Sequence, residues 1–342
     1  MKNFTTLLLA MAVVLALSGA SWAGSLEPSA PPGPTMKTLD KVEPRIPISK
    51  ADLPLTISES GSYYLIKDAN TVGTAITVEA DNVTIDLMNY SLIGHGAADT
   101  YGIYMSSRKN VEIRNGTIRG FDFGIMEHIH LGRGHRVINV RAVSNGRSGI
   151  WLGGQQHLVK GCTANSNGIS ATAGVEGINV GHHSIVTDNV VCGNGQSATF
   201  VTPFPSASVS GIATGYGSTV TGNMVCLNGS SATASGTLGV AGVNAGGGCT
   251  ITGNTVRLNG YQASGPFVNI RGISVSTGCT LIGNTVYENG KSATASSGYT
   301  GYGIDLTGEY CLVAHNTAYD NNGTDMTLGV TGCVYDNNVV GP

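Results

Sequence analysis

A short segment recurs several times in this chain, and it limits the possible folds more than any other feature of the sequence. Each copy opens with Gly, places apolar residues at the same offsets, and has Asn at two further offsets. In residues 242–260 the apolar residues are Val243, Ile251 and Val256, and the asparagines are Asn254 and Asn259. This alternation of Val, Ile and Thr with polar residues, divided by Gly or Asn, predicts three short strands in every copy. The closely similar copies occupy 211–229, 242–260 and 272–290, and a looser copy occupies 177–195.

Strands this short cannot bury a face alone, so successive copies must stack, with each strand parallel to its counterpart one turn away. Asn suits the left-handed backbone of a tight corner, and its amide can hydrogen-bond to the Asn of the next turn. With these features, roughly residues 74–340 resemble the right-handed parallel β-helix of the pectin-lyase-like superfamily. The resemblance implies an all-β, single-domain solenoid of about ten turns. It implies no single function, because lyases, hydrolases, epimerases, phage tailspikes, adhesins and metal-loading proteins share this fold.

The beginning of the chain differs from the repeats. Residues 1–23 are typical of an export signal, with an apolar run at 7–17 that is too short to span a bilayer. Residues 24–54 are rich in proline, which predicts an extended segment. Residues 55–342 are then the β-helix domain, including a cap at its N-terminal end. We therefore expect an extracytoplasmic protein, secreted or periplasmic, without a transmembrane segment.

The composition agrees with a solenoid. Fifty glycines among 342 residues suit many tight corners. A net charge of −3, with 11% charged residues, gives no reason to propose a nucleic acid as partner.

The seven cysteines follow the repeat, and no Cys-x-x-Cys motif occurs among them. Two interpretations remain open. Cysteines on adjacent turns could form one or two disulfides, because strand spacing is close to the distance that a disulfide spans, or they could form a small apolar column in the core. They are Cys162, Cys192, Cys226, Cys249, Cys279, Cys311 and Cys333.

The connections between turns repeat as well. Ser-Ala-Thr recurs at 170–172, 197–199, 231–233 and 292–294. We expect these loops to stack into a low wall beside the rod. They could border a groove, or they could be soluble loops with no further role.

The outward face of the first strands carries aromatic residues on early turns. The residue two positions after the opening Gly should point outward, and it is Tyr104, Met126, Trp151 and Asn179 on consecutive turns. A sugar ring can bury its C–H face against an aromatic ring, so Tyr104 and Trp151 are predicted to bind a sugar. The alternative is that these outward side chains stack on one another.

Most of the eight histidines fall near the corner between the first and second strands of successive turns. They could form a patch for proton transfer, a Zn or Cu site, or scattered surface residues. In the first case, His128 and His182 would transfer protons while His157 and His183 contact the substrate. The histidines concerned are His128, His130, His135, His157, His182 and His183.

Glu127 occupies an inward position that is apolar on other turns. A half-buried carboxyl there has a raised pKa unless Arg133 or Arg136 pairs with it, and such carboxyls are general-acid candidates. Arg133 or Arg136 could also hold an acidic sugar. Further charged residues within reach are Asp122, Arg147, Glu176 and Asp188.

The active sites of the resembling enzymes do not carry over to this chain. The middle turns lack the acidic Ca²⁺ cluster of pectate lyases. The Gly-His-Gly at 94–96 matches the hydrolase motif in letters alone, because no paired Asp precedes it.

These patterns favour a protein that binds, and could cleave, a polysaccharide or cell-surface glycan by lyase or hydrolase chemistry. A non-catalytic surface or adhesive protein and a periplasmic metal-handling β-helix protein are the alternatives. The sequence leaves any cofactor unassigned. The last strand edges, near Val339 and Val340, could pair with another chain to form an oligomer.

Overall fold

A computed structural model describes residues 44–128, 131–201 and 206–341. The predicted export signal and most of the proline-rich segment lie outside these residues. The last part of that segment is packed into the fold, because strand Ile46–Ile48 pairs in parallel with residues 63–65 and Ile48 is buried. The packed domain thus begins about ten residues before 55, at Arg45. No helix in the described part of the chain is long and apolar enough to cross a membrane.

Each turn of the chain contributes strands to three walls, and every strand pairs in parallel with its counterpart on the next turn. The fold is therefore the right-handed parallel β-helix that the sequence predicts. Strands Glu112–Arg119 and Arg136–Val143 continue through a corner and belong to both the second and the third wall, which joins these two walls in one 21-stranded sheet. A 3-10 helix, Lys50–Asp52, lies near the start.

The first wall is the 13-stranded sheet. Its strands are Leu55–Ile57, Ile76–Val78, Tyr101–Met105, Phe123–Glu127, Ser148–Gln155, Val175–His182, Thr199–Phe200, Ser206–Thr214, Thr233–Ala234, Thr237–Ala245, Ser264–Val275, Thr294–Leu306 and Thr324–Met326. The second wall contains, besides the two shared strands, Ile46–Ile48, Gly61–Leu65, Val83–Asp86, Leu158–Lys160, Ile185–Thr187, Thr219–Thr221, Thr250–Thr252, Thr280–Ile282, Leu312–Ala314 and Val334–Asp336. The third wall contains, besides the shared strands, Ala69–Asn70, Ser91–Ile93, Thr163–Asn165, Val190–Cys192, Met224–Cys226, Thr255–Arg257, Thr285–Tyr287, Thr317–Tyr319 and Val339–Val340.

Two ladders of buried asparagines hold the corners on either side of the third wall, as the repeat predicts. In each ladder, the Oδ1 atom accepts hydrogen bonds from the backbone N–H and the Nδ2 of the Asn one turn earlier. Buried amides paired in this way replace the hydrogen bonds that a corner would otherwise lose. The first ladder is Asn189, Asn223, Asn254, Asn284, Asn316 and Asn338. The second is Asn145, Asn167, Asn194, Asn228, Asn259, Asn289 and Asn321.

A third column lies at the corner between the first and second walls. Its side chains accept hydrogen bonds from backbone N–H groups of the preceding turn, as when Cys249 N–H donates to Cys279 Sγ at 3.3 Å. Both interpretations of the cysteines are confirmed in part, because Cys192 and Cys226 form a disulfide with their Cα atoms 4.6 Å apart while others stack in this column. The column contains His135, His157, Ser184, Ser218, Cys249, Cys279, Cys311 and Cys333.

The Ser-Ala-Thr loops stack as predicted. Strand Thr199–Phe200 pairs with Thr233–Ala234, and Thr233 is in register with Ser264. The alanines of these loops pack with the beginning of the long first-wall strands into a second, smaller core. The loops therefore add a buried layer to the first wall.

Candidate functional site

The outward residues on the first wall form a straight column, as the sequence predicts. Tyr104 is in register with Met126, Met126 with Trp151, and Trp151 with Asn179. The column then continues through Ala213 and further small or polar residues. Tyr104, Trp151 and Asn179 are all partly exposed, so this face can contact a ligand.

The opening Gly of each turn sets this arrangement. A Cβ at Gly149 would lie 2.8 Å from the carbonyl oxygen of Gly177 on the next turn. Glycine therefore allows the backbones to approach closely, and Ile150 after it is fully buried. Trp151 then points outward, because side chains alternate along a strand.

A cleft of about 450 Å³ lies beside Trp151. Asn179 and Asn244 line it on the first wall, and His182 and Tyr216 line it at the adjoining corner. The Tyr216 ring stacks on His182 with centroids 5.3 Å apart. The Tyr216 N–H donates to His182 Nδ1 at 3.0 Å, so the neutral His182 ring carries its proton on Nε2. The cleft thus combines aromatic faces with amide and imidazole groups.

Aromatic rings extend this site toward the N-terminal end of the rod. Trp151 meets the Phe123 ring edge-on at 6.0 Å, and Phe123 stacks on Tyr101 at 5.7 Å. Tyr101 in turn lies 4.9 Å from Tyr104. These contacts show that the outward aromatic residues do stack on one another, while Tyr104 and Trp151 keep exposed surface.

Two carboxyl groups with raised pKa values lie on the same wall. Burial raises the pKa of Glu176, although a hydrogen bond of 3.2 Å from Ser148 Oγ to its Oε2 and the nearby Arg147 partly oppose the shift. Burial also raises the pKa of Asp122, which accepts a hydrogen bond from the Asp99 N–H at 3.0 Å and is likewise influenced by Arg147. Glu176 is partly exposed and precedes Asn179 on one strand, whereas Asp122 is 7% exposed. Glu176 is therefore the more accessible acid.

Glu127 lies at the inward position that the repeat predicts, but it is more deeply buried than expected. It is 0% exposed rather than half-buried, and its Oε2 is 3.2 Å from Nε2 of His135, which is also 0% exposed. The two atoms are poorly aligned, so neither has a hydrogen-bond partner, while Glu127 Oε1 accepts from the Ser107 N–H. Arg136, one of the two arginines considered as its partner, pairs instead with Glu112 on the second wall at 3.1 Å. Glu127 cannot touch a ligand in this arrangement.

Arg133 and Asp188 also lie away from the cleft. Arg133 is exposed at the corner between the first and second walls, in a bridge between Lys109 and Gln155. Asp188 adopts a left-handed conformation at the corner between the second and third walls. Neither belongs to the outward face of the first wall.

The described histidines separate into buried and exposed groups, so the expectation of one patch is wrong. His135 and His157 stack inside the rod at 5.0 Å, and His157 is 2% exposed, which removes it from any substrate surface. His128 is exposed with its ring 6.3 Å from Tyr104, and His182 and His183 are exposed 6.4 Å from each other. The remaining predicted member, His130, lies outside the described residues. Within the described ranges, no group of three or more His, Cys, Asp or Glu could hold a metal ion.

The buried His157 predicts a loss of stability in acid. Its Nε2 donates to the Gly153 carbonyl at 2.8 Å, and burial, together with the neighbouring His135, lowers its pKa from 6.5 to about 4. Between these values the unfolded chain binds more protons, so this residue should remove about 3 kcal/mol of stability as the pH falls from 6.5 to 4. Urea unfolding across this range measures the effect.

The control is His157→Ser, because serine occupies this place in the column at residues 184 and 218. This variant should lose less stability than the native chain over the same pH range, whatever its stability at neutral pH. Equal losses in the two proteins would contradict the assignment.

Comparisons with known proteins found solved structures of low sequence identity. No protein-family model matches the chain, and no curated protein matches it. The A-module of mannuronan C-5 epimerase AlgE4 from Azotobacter vinelandii is 15% identical, with a TM-score of 0.44 over 84% of this chain and 78% of that one. The A-module of AlgE6 from the same organism is 15% identical, with a TM-score of 0.44 over 85% and 88%. Pectate lyase Pel9A is 12% identical, with a TM-score of 0.43 over 82% and 68%. No residue role is transferred from these proteins.

The structure adds residues that the sequence interpretation did not assign to the site. Tyr216 interrupts a run of small residues at its corner, and this was the signal for it. Asn244 occupies the same outward column as Trp151, two turns beyond Asn179. The sequence placed Glu176 within reach of the site. Its role depends on its burial, which the offsets from the opening Gly do not predict.

Proposed function

We propose that the first wall binds a polysaccharide, with one sugar in the cleft beside Trp151 and its neighbours along the aromatic residues toward Tyr104. The cleft carries the proposal, because it places an aromatic face beside the amides of Asn179 and Asn244 and the His182–Tyr216 stack. A sugar presents an apolar C–H face and a rim of hydroxyls, and this set of side chains matches both.

The outward column that contains Tyr104 and Trp151 would set the orientation of the bound polysaccharide. Tyr104 and Trp151 are two turns apart, which is about 10 Å at the usual strand spacing. An extended oligosaccharide lying along the rod axis would contact both rings. His128, whose ring lies 6.3 Å from Tyr104, would contact the sugar at that end, and His183 would lie beyond His182 at the other.

The finer proposal is cleavage, with Glu176 in the role that the sequence assigned to Glu127. A carboxyl with a raised pKa keeps its proton nearer to neutral pH and can protonate the glycosidic oxygen that leaves. His182, which lines the cleft and carries its proton on Nε2 in the neutral form, is the second proton-transfer group.

Glu176→Gln tests this role. If Glu176 is the general acid, the variant should cleave at least about 100-fold more slowly while binding the same glycan, because amide and carboxyl are nearly isosteric. The experiment screens the protein without residues 1–23 against neutral and acidic polysaccharides. It records binding, new reducing ends, and the ultraviolet absorbance of unsaturated products.

Glu309→Gln, an exposed carboxyl outside the cleft, is the matched control and should cleave normally. Binding without cleavage would retain the glycan site and exclude the catalytic role. Neither binding nor cleavage across a broad panel would overturn the proposed function.

A further inference from the structure

The outward side of the second wall changes character along the rod. Its early strands carry Glu112, Arg114, Arg136 and Lys160. The later strands, from Ile185 to Ala314, carry no charged side chain. We call their outward hydroxyl-bearing surface the threonine face. It contains Thr187, Thr219, Thr221, Thr250, Thr252 and Thr280, bordered by Ile185, Ile282 and Leu312.

The threonines form a two-dimensional array. Thr219 is in register with Thr250, and Thr221 with Thr252. The residues between them, Val220 and others in that column, are fully buried, so both threonines of a strand point outward. Hydroxyls therefore repeat about every 4.8 Å across the strands and about every 6.6 Å along a strand.

One pair of these threonines is held in place by a hydrogen bond. Thr252 Oγ1 donates to Thr221 Oγ1 at 2.9 Å, and the branched Cβ restricts the rotamers of both side chains. Gly222 and Gly253, which follow these strands at the corner, are left-handed with φ of +65° and +62° and add no side chain at the edge. Hydroxyls held in fixed places lose little entropy when they bind an ordered partner.

We propose that the threonine face binds the surface of ice. An array of this kind suits a partner that also repeats in two dimensions, and water oxygens on the surface of ice repeat at spacings of a few ångströms. The uncharged, half-apolar surface fits the same partner, because charged groups order water in shells that a crystal lattice does not accept. This site is on a different wall from the glycan cleft and does not depend on it.

Strand preference alone does not account for the threonines. Valine and isoleucine suit outward strand positions as well. In the same two columns, earlier turns use Arg136 and Lys160. The exposed fractions of Ile185 (46%) and Leu312 (38%) show that the face also leaves apolar area in contact with solvent.

The test freezes a dilute solution of the fluorescently labelled protein slowly and measures partition into polycrystalline ice, together with inhibition of ice recrystallisation. The native chain is expected to enter the ice and to slow grain growth. Thr221→Tyr, which places a ring in the middle of the face, should reduce both effects at least 10-fold.

Lys160→Tyr is the matched control, since Lys160 lies in the same column two turns earlier. It should act on ice like the native chain, as should Trp151→Ala. Circular dichroism and thermal melting confirm that each variant is folded. Exclusion of the native chain from ice, equal loss in Lys160→Tyr, or binding to powdered cellulose or chitin through this face without any effect on ice would overturn the proposal.

Discussion

Trp151→Ala should weaken binding of the glycan to the first wall by roughly 30-fold. A sugar ring stacked on this indole would cover about 80 Å² of apolar surface, and at about 25 cal/mol/Å² its loss costs about 2 kcal/mol. Isothermal titration, with a glycan that the native chain binds, gives the affinity directly.

The control for this variant is Tyr287→Ala. Tyr287 is a partly exposed ring on the third wall, stacked on Tyr319 at 5.1 Å, so its removal deletes an aromatic residue without touching the cleft. Affinity should then stay within about two-fold of the native value. If both variants weaken binding equally, or if Trp151→Ala leaves it unchanged, the sugar does not stack on Trp151.

The three walls of this fold could be predicted from the sequence because each copy of the repeat shows the same pattern independently. An inward offset that is apolar on every turn, such as that of Ile150 and Ile178, predicts both the strand and its register. For the same reason the outward positions of Tyr104 and Trp151 were predicted correctly. Once one face of a strand is buried, the alternation of side chains places the residues in between on the outward face.

The corners were less predictable because their length varies. The chain passes from Glu127 to Arg136 before the second wall resumes, but from His182 to Ile185 two turns later. A residue counted from the opening Gly can therefore point inward on one turn and outward on another. His157 is buried because it directly precedes the second wall, where Ser184 stands one turn later, whereas the exposed His182 ends a first-wall strand, although both were expected in one patch.

Asn228→Ala should cause the largest loss of stability, about 4 kcal/mol. Asn228 is 0% exposed, and its Oδ1 accepts from the Asn194 N–H at 3.1 Å and from Asn194 Nδ2 at 2.8 Å. Its Nδ2 donates to the Val191 carbonyl at 3.0 Å and to Asn259 Oδ1 at 2.8 Å. Alanine would leave several of these groups buried without partners, and each costs about 1–3 kcal/mol.

Asn244→Ala separates this structural role from binding. Asn244 is the same residue type, but it is exposed on the first wall and lines the cleft. Its substitution should change the free energy of unfolding by less than about 0.5 kcal/mol while weakening glycan binding. Urea unfolding of both variants measures this difference. Equal free energies of unfolding would mean that the asparagine ladder does not stabilise these corners. Because the ladder joins successive turns, a loss at Asn228 should also lower the protection of neighbouring turns in hydrogen exchange, whereas Asn244→Ala should leave that protection unchanged.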